Sequence, residues 1–109
     1  MDPNAAPPDP ALKPAPTRVL IFEDNDDART LMAEGLDGAG YQVEQAKSGK
    51  DGILKSLEAP PDIFLINPHL AGMDGFKVVK MIKTIEPIRR RTVLALLDNA
   101  AKADILKAA

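Results

Sequence analysis

Residues 62–75 read Asp62-Ile-Phe-Leu-Ile66-Asn67-Pro-His-Leu-Ala-Gly-Met-Asp-Gly75. After Asp62 comes a short apolar run of β-branched, aromatic and leucine side chains, the pattern of a strand buried on both faces. From Asn67 onward the stretch is dense in turn formers. A helical pattern follows, with Phe76, Val79, Ile82 and Ile85 on one face and Val78 and Met81 beside it, and it breaks at Pro87. Strand, loop and helix in that order form part of a β-α-β unit, so the flanking sequence decides whether the unit repeats.

It does on both sides. Upstream, Arg18-Val-Leu-Ile-Phe22 is a second buried run, closed by Glu23-Asp24-Asn25-Asp26-Asp27. Asn25 or Asp26 caps a helix with apolar positions Ala28, Leu31, Met32, Leu36 and Ala39, stopped at Gly38-Ala39-Gly40. Tyr41 to Ala46 alternates like a strand with one wetter face. Ser48-Gly-Lys-Asp51 leads into a helix with Ile53, Leu54 and Leu57 on one side, ended by Ala59-Pro60-Pro61. Downstream, Thr92-Val-Leu-Ala-Leu-Leu97 is a fourth buried strand, and Asn99 is placed to cap a last helix over residues 100–108. Parallel neighbours need crossovers, and right-handed crossovers put helices on both faces of the sheet. The βαβαβαβα order therefore predicts a three-layer α/β sandwich around a parallel sheet.

Composition bounds the rest. The chain has 109 residues, 45% apolar and 28% charged, enough for one domain with its own core. Residues 1–17 hold six of the ten prolines and almost no large apolar side chains, so they read as a flexible tail ahead of a domain spanning 18–109. A net charge of −2 gives no electrostatic reason to expect nucleic acid or an anionic membrane as partner, and Arg89 to Arg91 reads as a solvated loop. With no cysteine there is no disulfide framework, thiolate zinc site or thiol nucleophile. No secretory signal and no membrane-length apolar run is present, so the expected location is cytoplasmic.

In a parallel sheet of this kind ligands bind beyond the carboxyl ends of the strands, which focuses attention on Glu23 and Asp24, on Asn67 to His69, and on Leu97 with Asp98. Adjacent carboxylates at a buried strand end suggest a hard divalent cation; equally, they suit the start of a helix, where negative charge meets the dipole. His69 stands alone among turn formers and reads as solvent-exposed. Asp74 reads as a loop stabiliser through hydrogen bonds to backbone. Phe22, Phe64 and Phe76 read as core by spacing.

The Asn67–Gly75 loop, ending in Gly72-Met73-Asp74-Gly75, combined with the Glu23-Asp24 pair and the alternating order, resembles the receiver domains of bacterial response regulators. The resemblance covers roughly residues 18 to 105. It implies a flavodoxin-like fold with strand order 2-1-3-4, with the fifth strand and fifth helix of a receiver missing after Leu97. It also implies a site: an aspartate that accepts a phosphoryl group, an acidic pair and a backbone carbonyl that help hold magnesium, a hydroxyl after the fourth strand and a lysine after the fifth. Here the carboxylate pair is Glu23 and Asp24, and the carbonyl position is His69. The nucleophile position is Asn67, the hydroxyl position is Leu97, and the lysine position is absent.

A neutral amide is a poor nucleophile, and losing one of three carboxylates weakens magnesium binding. Deamidation of Asn67 is impeded because Pro68 has no N–H to attack it. Leucine cannot donate to a phosphate. The expectation is a non-enzymatic pseudo-receiver with no catalytic residue and no cofactor beyond weak magnesium at Glu23, Asp24 and the His69 carbonyl, working through protein–protein contacts. The alternative is a conventional phosphorelay receiver in an inactivated or shortened form. A flavin- or nucleotide-binding enzyme is disfavoured, because the turn from Glu23 to Asp27 is acidic and lacks glycine. The fourth strand would be left as an apolar edge, so Thr92, Val93, Leu94 and Leu96 are the expected surface for a protein partner or a second copy, with neither nucleic acid nor membrane involved.

Overall fold

The structure, a computed structural model, describes residues 16–70, 73–86 and 88–95. The elements alternate: β1 (Arg18–Phe22), α1 (Asp26–Gly38), β2 (Gln42–Ala46), α2 (Gly49–Glu58), β3 (Ile63–Ile66), α3 (Gly75–Thr84) and β4 (Thr92–Ala95). The four strands form one sheet in the order β2-β1-β3-β4. All pairs are parallel, with Phe22 opposite Ala46 on one side and Ile66 on the other, and Ile66 opposite Ala95. The parallel sheet is the one the alternation predicts, and its strand order is that of the flavodoxin-like fold the resemblance implies.

Because side chains alternate across a strand, the sheet splits the core in two. Leu20, Phe22, Phe64 and Ile66 point to the α2 and α3 side, where they meet Ile53, Val78, Ile82 and Ile88. Phe22 and Phe64 pack tilted with ring centroids 6.1 Å apart, within the range of favourable aromatic pairs. Val19, Ile21 and Leu65 point the other way, against Met32, Ala33 and Leu36 of α1.

Local chemistry sets the helix ends. Side-chain oxygens of Asn25, Ser48 and Asp74 accept from the backbone N–H of Ala28, Asp51 and Phe76 and so cap α1, α2 and α3. After α1, Gly40 adopts φ +98°, a conformation that suits glycine. There its N–H donates to Asp37 O and that of Tyr41 to Leu36 O, at 3.0 and 3.1 Å, closing the helix in a Schellman turn.

Several apolar positions sit elsewhere than expected. Leu31, Leu54, Leu57, Phe76 and Met81 are all exposed, Phe76 at 54%. The cause is phase. The face of α1 that meets the sheet is Arg29, Met32, Ala33 and Leu36, which leaves Leu31 on nearly the opposite side of the helix. On α2 the contact face is Gly49, Gly52, Ile53 and Ser56, because the helix lies so close to β1 that a Cβ on Gly52 would fall 2.2 Å from the Phe22 ring. Leu54 and Leu57 are then turned outward. Phe76 is in the first turn of α3, whose sheet-facing side is Gly75, Val78 and Ile82, so it is not core as expected. The strand expected from Thr92 to Leu97 is described as far as Ala95; Leu96, Leu97, Asp98, the helix expected over 100–108 and residues 1–15 of the expected tail lie outside the described residues. No helix among the described residues is long and apolar enough to cross a membrane.

Candidate functional site

The parallel register places two strand ends side by side. Glu23 N donates to Ala46 O and Asn67 N donates to Phe22 O, each at 3.0 Å, so the ladder continues one residue past both strands and brings Glu23 beside Asn67. Glu23 is fully buried and Asn67 nearly so, while Asp24 and His69 are exposed.

Asn67 uses both ends of its amide. Its Nδ2 donates to Glu23 Oε2 at 2.7 Å, a short bond to a buried carboxylate. Its Oδ1 accepts from His69 N at 2.9 Å, an Asx-turn that starts the loop. The loop is tied at its far end by Gly75 N donating to Pro68 O at 3.0 Å. Glycine is required there: a Cβ at residue 75 would lie 2.3 Å from the Asn67 carbonyl oxygen. Asp74 then caps α3 through Phe76 N at 2.8 Å. The two ends of the Asn67–Gly75 segment are thus tied to each other beside Glu23.

A further side chain belongs to this site, and the sequence reading missed it. Arg29 is buried on α1, donates from Nη1 to the Glu23 carbonyl at 2.9 Å and pairs with Asp26 through Nη2. It ties the start of α1 to the end of β1. The signal was present, since Arg29 falls in phase with Met32, Ala33 and Leu36 and lies three residues after an aspartate. The Arg29 guanidinium, first by hydrogen bond and then by charge, holds the Asp26 carboxyl below its ordinary value of 3.8.

The donor set does not fit a hard divalent cation well. Such an ion takes six or so oxygens with several carboxylates among them. Here Glu23 Oε2 already receives the Asn67 N–H, and Asn67 Oδ1 receives the His69 N–H. Among the described residues no group of three or more histidine, cysteine, aspartate and glutamate side chains is positioned to hold a metal. Leu97 lies outside the described residues, so only the Glu23–Asn67 half of the expected site is seen directly.

The response regulator receiver domain model matches residues 19–109, the span that contains both strand ends just described. The chain belongs to the response-regulator receiver family. The transcriptional regulatory protein AfsQ1 of Streptomyces coelicolor is 34% identical over 70 residues, 64% of this receiver and 31% of that protein. The polar-differentiation response regulator DivK of Brucella ovis is 30% identical over 86 residues, 79% of this receiver and 70% of DivK. The solved structure of the chemotaxis response regulator CheY4 of Vibrio cholerae superposes with a TM-score of 0.72 at 25% identity, covering 86% of this receiver and 80% of CheY4. The matches to AfsQ1 and to HprR of Escherichia coli span about a third of those longer proteins, at 31% and 30%. The receiver is a two-component signalling module.

Proposed function

We propose that this receiver is a pseudo-receiver: a non-enzymatic module whose contacts with other proteins are independent of phosphorylation. The observation that carries the reading is the Asn67 amide donating to the buried Glu23 carboxylate at 2.7 Å. A phosphoacceptor at that position needs an anionic oxygen free to attack in line and a cation to neutralise the transferring group. An amide offers no negative charge, and its N–H group takes a Glu23 oxygen that a cation would need. Magnesium binding at Glu23, Asp24 and the His69 carbonyl is accordingly weak or lost.

The contact surface is the fourth-strand side, in an intracellular setting. Among the described residues β4 is an edge strand, with Leu94 47% exposed beside an apolar groove of about 130 Å³ lined by Val19, Leu36, Tyr41, Ile63, Leu65 and Leu94. A protein partner or second copy covers Thr92, Val93, Leu94 and the neighbouring Leu96.

The test is exposure to a small phosphodonor, or to beryllofluoride with magnesium, followed by mass measurement and amide NMR. The expected result is no adduct and no shift; a stoichiometric adduct, or shifts centred on residue 67, overturns the proposal. A second reading, a conventional receiver inactivated at Asn67, is favoured by the hydrogen bonds at Pro68, Asp74 and Gly75. Efficient phosphorylation restored by Asn67→Asp alone would establish that reading.

A further inference from the structure

The two sides of the sheet carry opposite charge. Helix α3 has three lysines, Lys77, Lys80 and Lys83, and no acidic residue, with all three exposed. None of them is in an ion pair among the described residues. Phe76 and Met81 stand exposed among them, at 54% and 38%. Helix α1 is the reverse. It carries Asp26, Asp27, Glu34 and Asp37 against one cation, Arg29, which is buried and paired with Asp26. Its exposed apolar side chain is Leu31, at 56%.

The outer stripes are opposite in charge, and each carries an exposed apolar side chain one turn from a charge. Asp27, Leu31 and Glu34 follow one another at helical spacing along α1, acid, leucine, acid. Phe76, Lys80 and Lys83 follow at the same spacing along α3, with Lys77 and Met81 alongside. Beside the α1 stripe a groove of about 220 Å³, lined by Ala33, Glu34, Asp37, Val43 and Gln45, gives the acidic side a concave seat. Exposed phenylalanine, methionine and leucine on opposed charged backgrounds are what a protein contact buries.

These stripes cannot meet within one molecule, since α1 packs on one core cluster and α3 on the other, across the sheet. A two-fold dimer does not pair them either, because faces on opposite sides of one molecule join head to tail. From this we infer that the α3 face of one copy docks on the α1 face of the next, with Phe76 against Leu31 and Lys80, one turn on, against Glu34. The contact is heterologous and leaves one free face of each kind, so assembly grows with concentration. It is separate from the β4 surface.

Sedimentation velocity of the full chain over a concentration series tests it. At about 0.01 M salt, where the Debye length is near 30 Å, the weight-average sedimentation coefficient rises without a plateau; at about 1 M salt it returns to the monomer value. Lys80→Glu alone and Glu34→Lys alone each weaken association on the order of tenfold or more, by placing like charges in contact. An equimolar mixture of the two variants associates again in alternation, because both junctions between unlike chains are complementary, and the double variant in one chain also grows again. A wild-type chain that stays monomeric at every concentration overturns the inference. So does a wild-type plateau at dimer, or association that ignores both reversals and is abolished by Leu94→Asp, which would place the contact on β4.

Discussion

Asn67 is the residue on which the site turns, because a buried carboxylate needs a donor and the amide is one. Replacing it by Asp removes that donor and sets two carboxyls at the distance of the present hydrogen bond, 2.7 Å. The expected cost of Asn67→Asp at neutral pH is about 3 kcal/mol, read as a lowered urea midpoint. One carboxyl of the pair then has a raised pKa in the folded state, so the variant regains stability as pH falls and loses it as pH rises through that pKa. Magnesium raises the midpoint of the variant and leaves the wild type unchanged. Asp26 behaves in the opposite sense. Its carboxyl, held below 3.8 by Arg29, contributes stability that is full above that value and is lost as pH falls through the lower folded pKa. Its side chain is 76% exposed, so the contribution is small and the observable is the titration itself. The NMR midpoint of Asp26 is expected below 3.8, rising toward it in Arg29→Met.

At the scale of elements, α2 shows how a close approach sets helix phase. Gly52 lets the helix lie on the Phe22 ring, where an added Cβ would be 2.2 Å from an aromatic carbon with both neighbours fully packed. Gly52→Ala is expected to destabilise by about 1–3 kcal/mol despite alanine's better helix propensity, because strain in a filled core outweighs a propensity gain of about 1 kcal/mol. Guanidinium unfolding distinguishes the two signs. The same helix supplies a contrast at its N-cap. Ser48→Ala removes one bond to Asp51 N and is expected to cost about 1 kcal/mol, with the same m-value as wild type. The N-caps, the Gly40 turn and the Ala59-Pro60-Pro61 stop were all readable in the chain, since each depends on residues a few positions apart. The outward placement of Leu54, Leu57 and Phe76 was not, because a helix with apolar side chains on several sides does not announce which of them meets the sheet.

For the whole molecule, the useful separation is between side chains that hold the sheet together and those that merely decorate it. Asp62 belongs to the first group: its two oxygens accept from Arg18 N and Arg91 Nη1, at 2.9 and 3.0 Å, linking the starts of β1 and β4 across β3. Arg91 thereby pairs with Asp62, and Arg89 pairs with Glu86. Leu94 belongs to the second. Leu94→Asp is expected to leave thermal stability within about 0.5 kcal/mol of wild type while removing any partner bound at the β4 edge, a pairing checked by a melt and a binding assay on the same variant.

The sequence by itself determined the element order, the parallel sheet, the receiver family and the presence of an amide where that family carries its acceptor. Those follow from local periodicity, from caps and turns within a few residues, and from motif spacing along the chain. Only the tertiary structure decided that Asn67 is bonded to Glu23, 44 residues earlier, and that Arg29 is buried behind them. It also decided that α1 and α3 present opposite charges on opposite sides of the sheet. Those outcomes depend on register between strands distant in sequence and on the rotation of each helix about its axis, neither of which local patterning encodes.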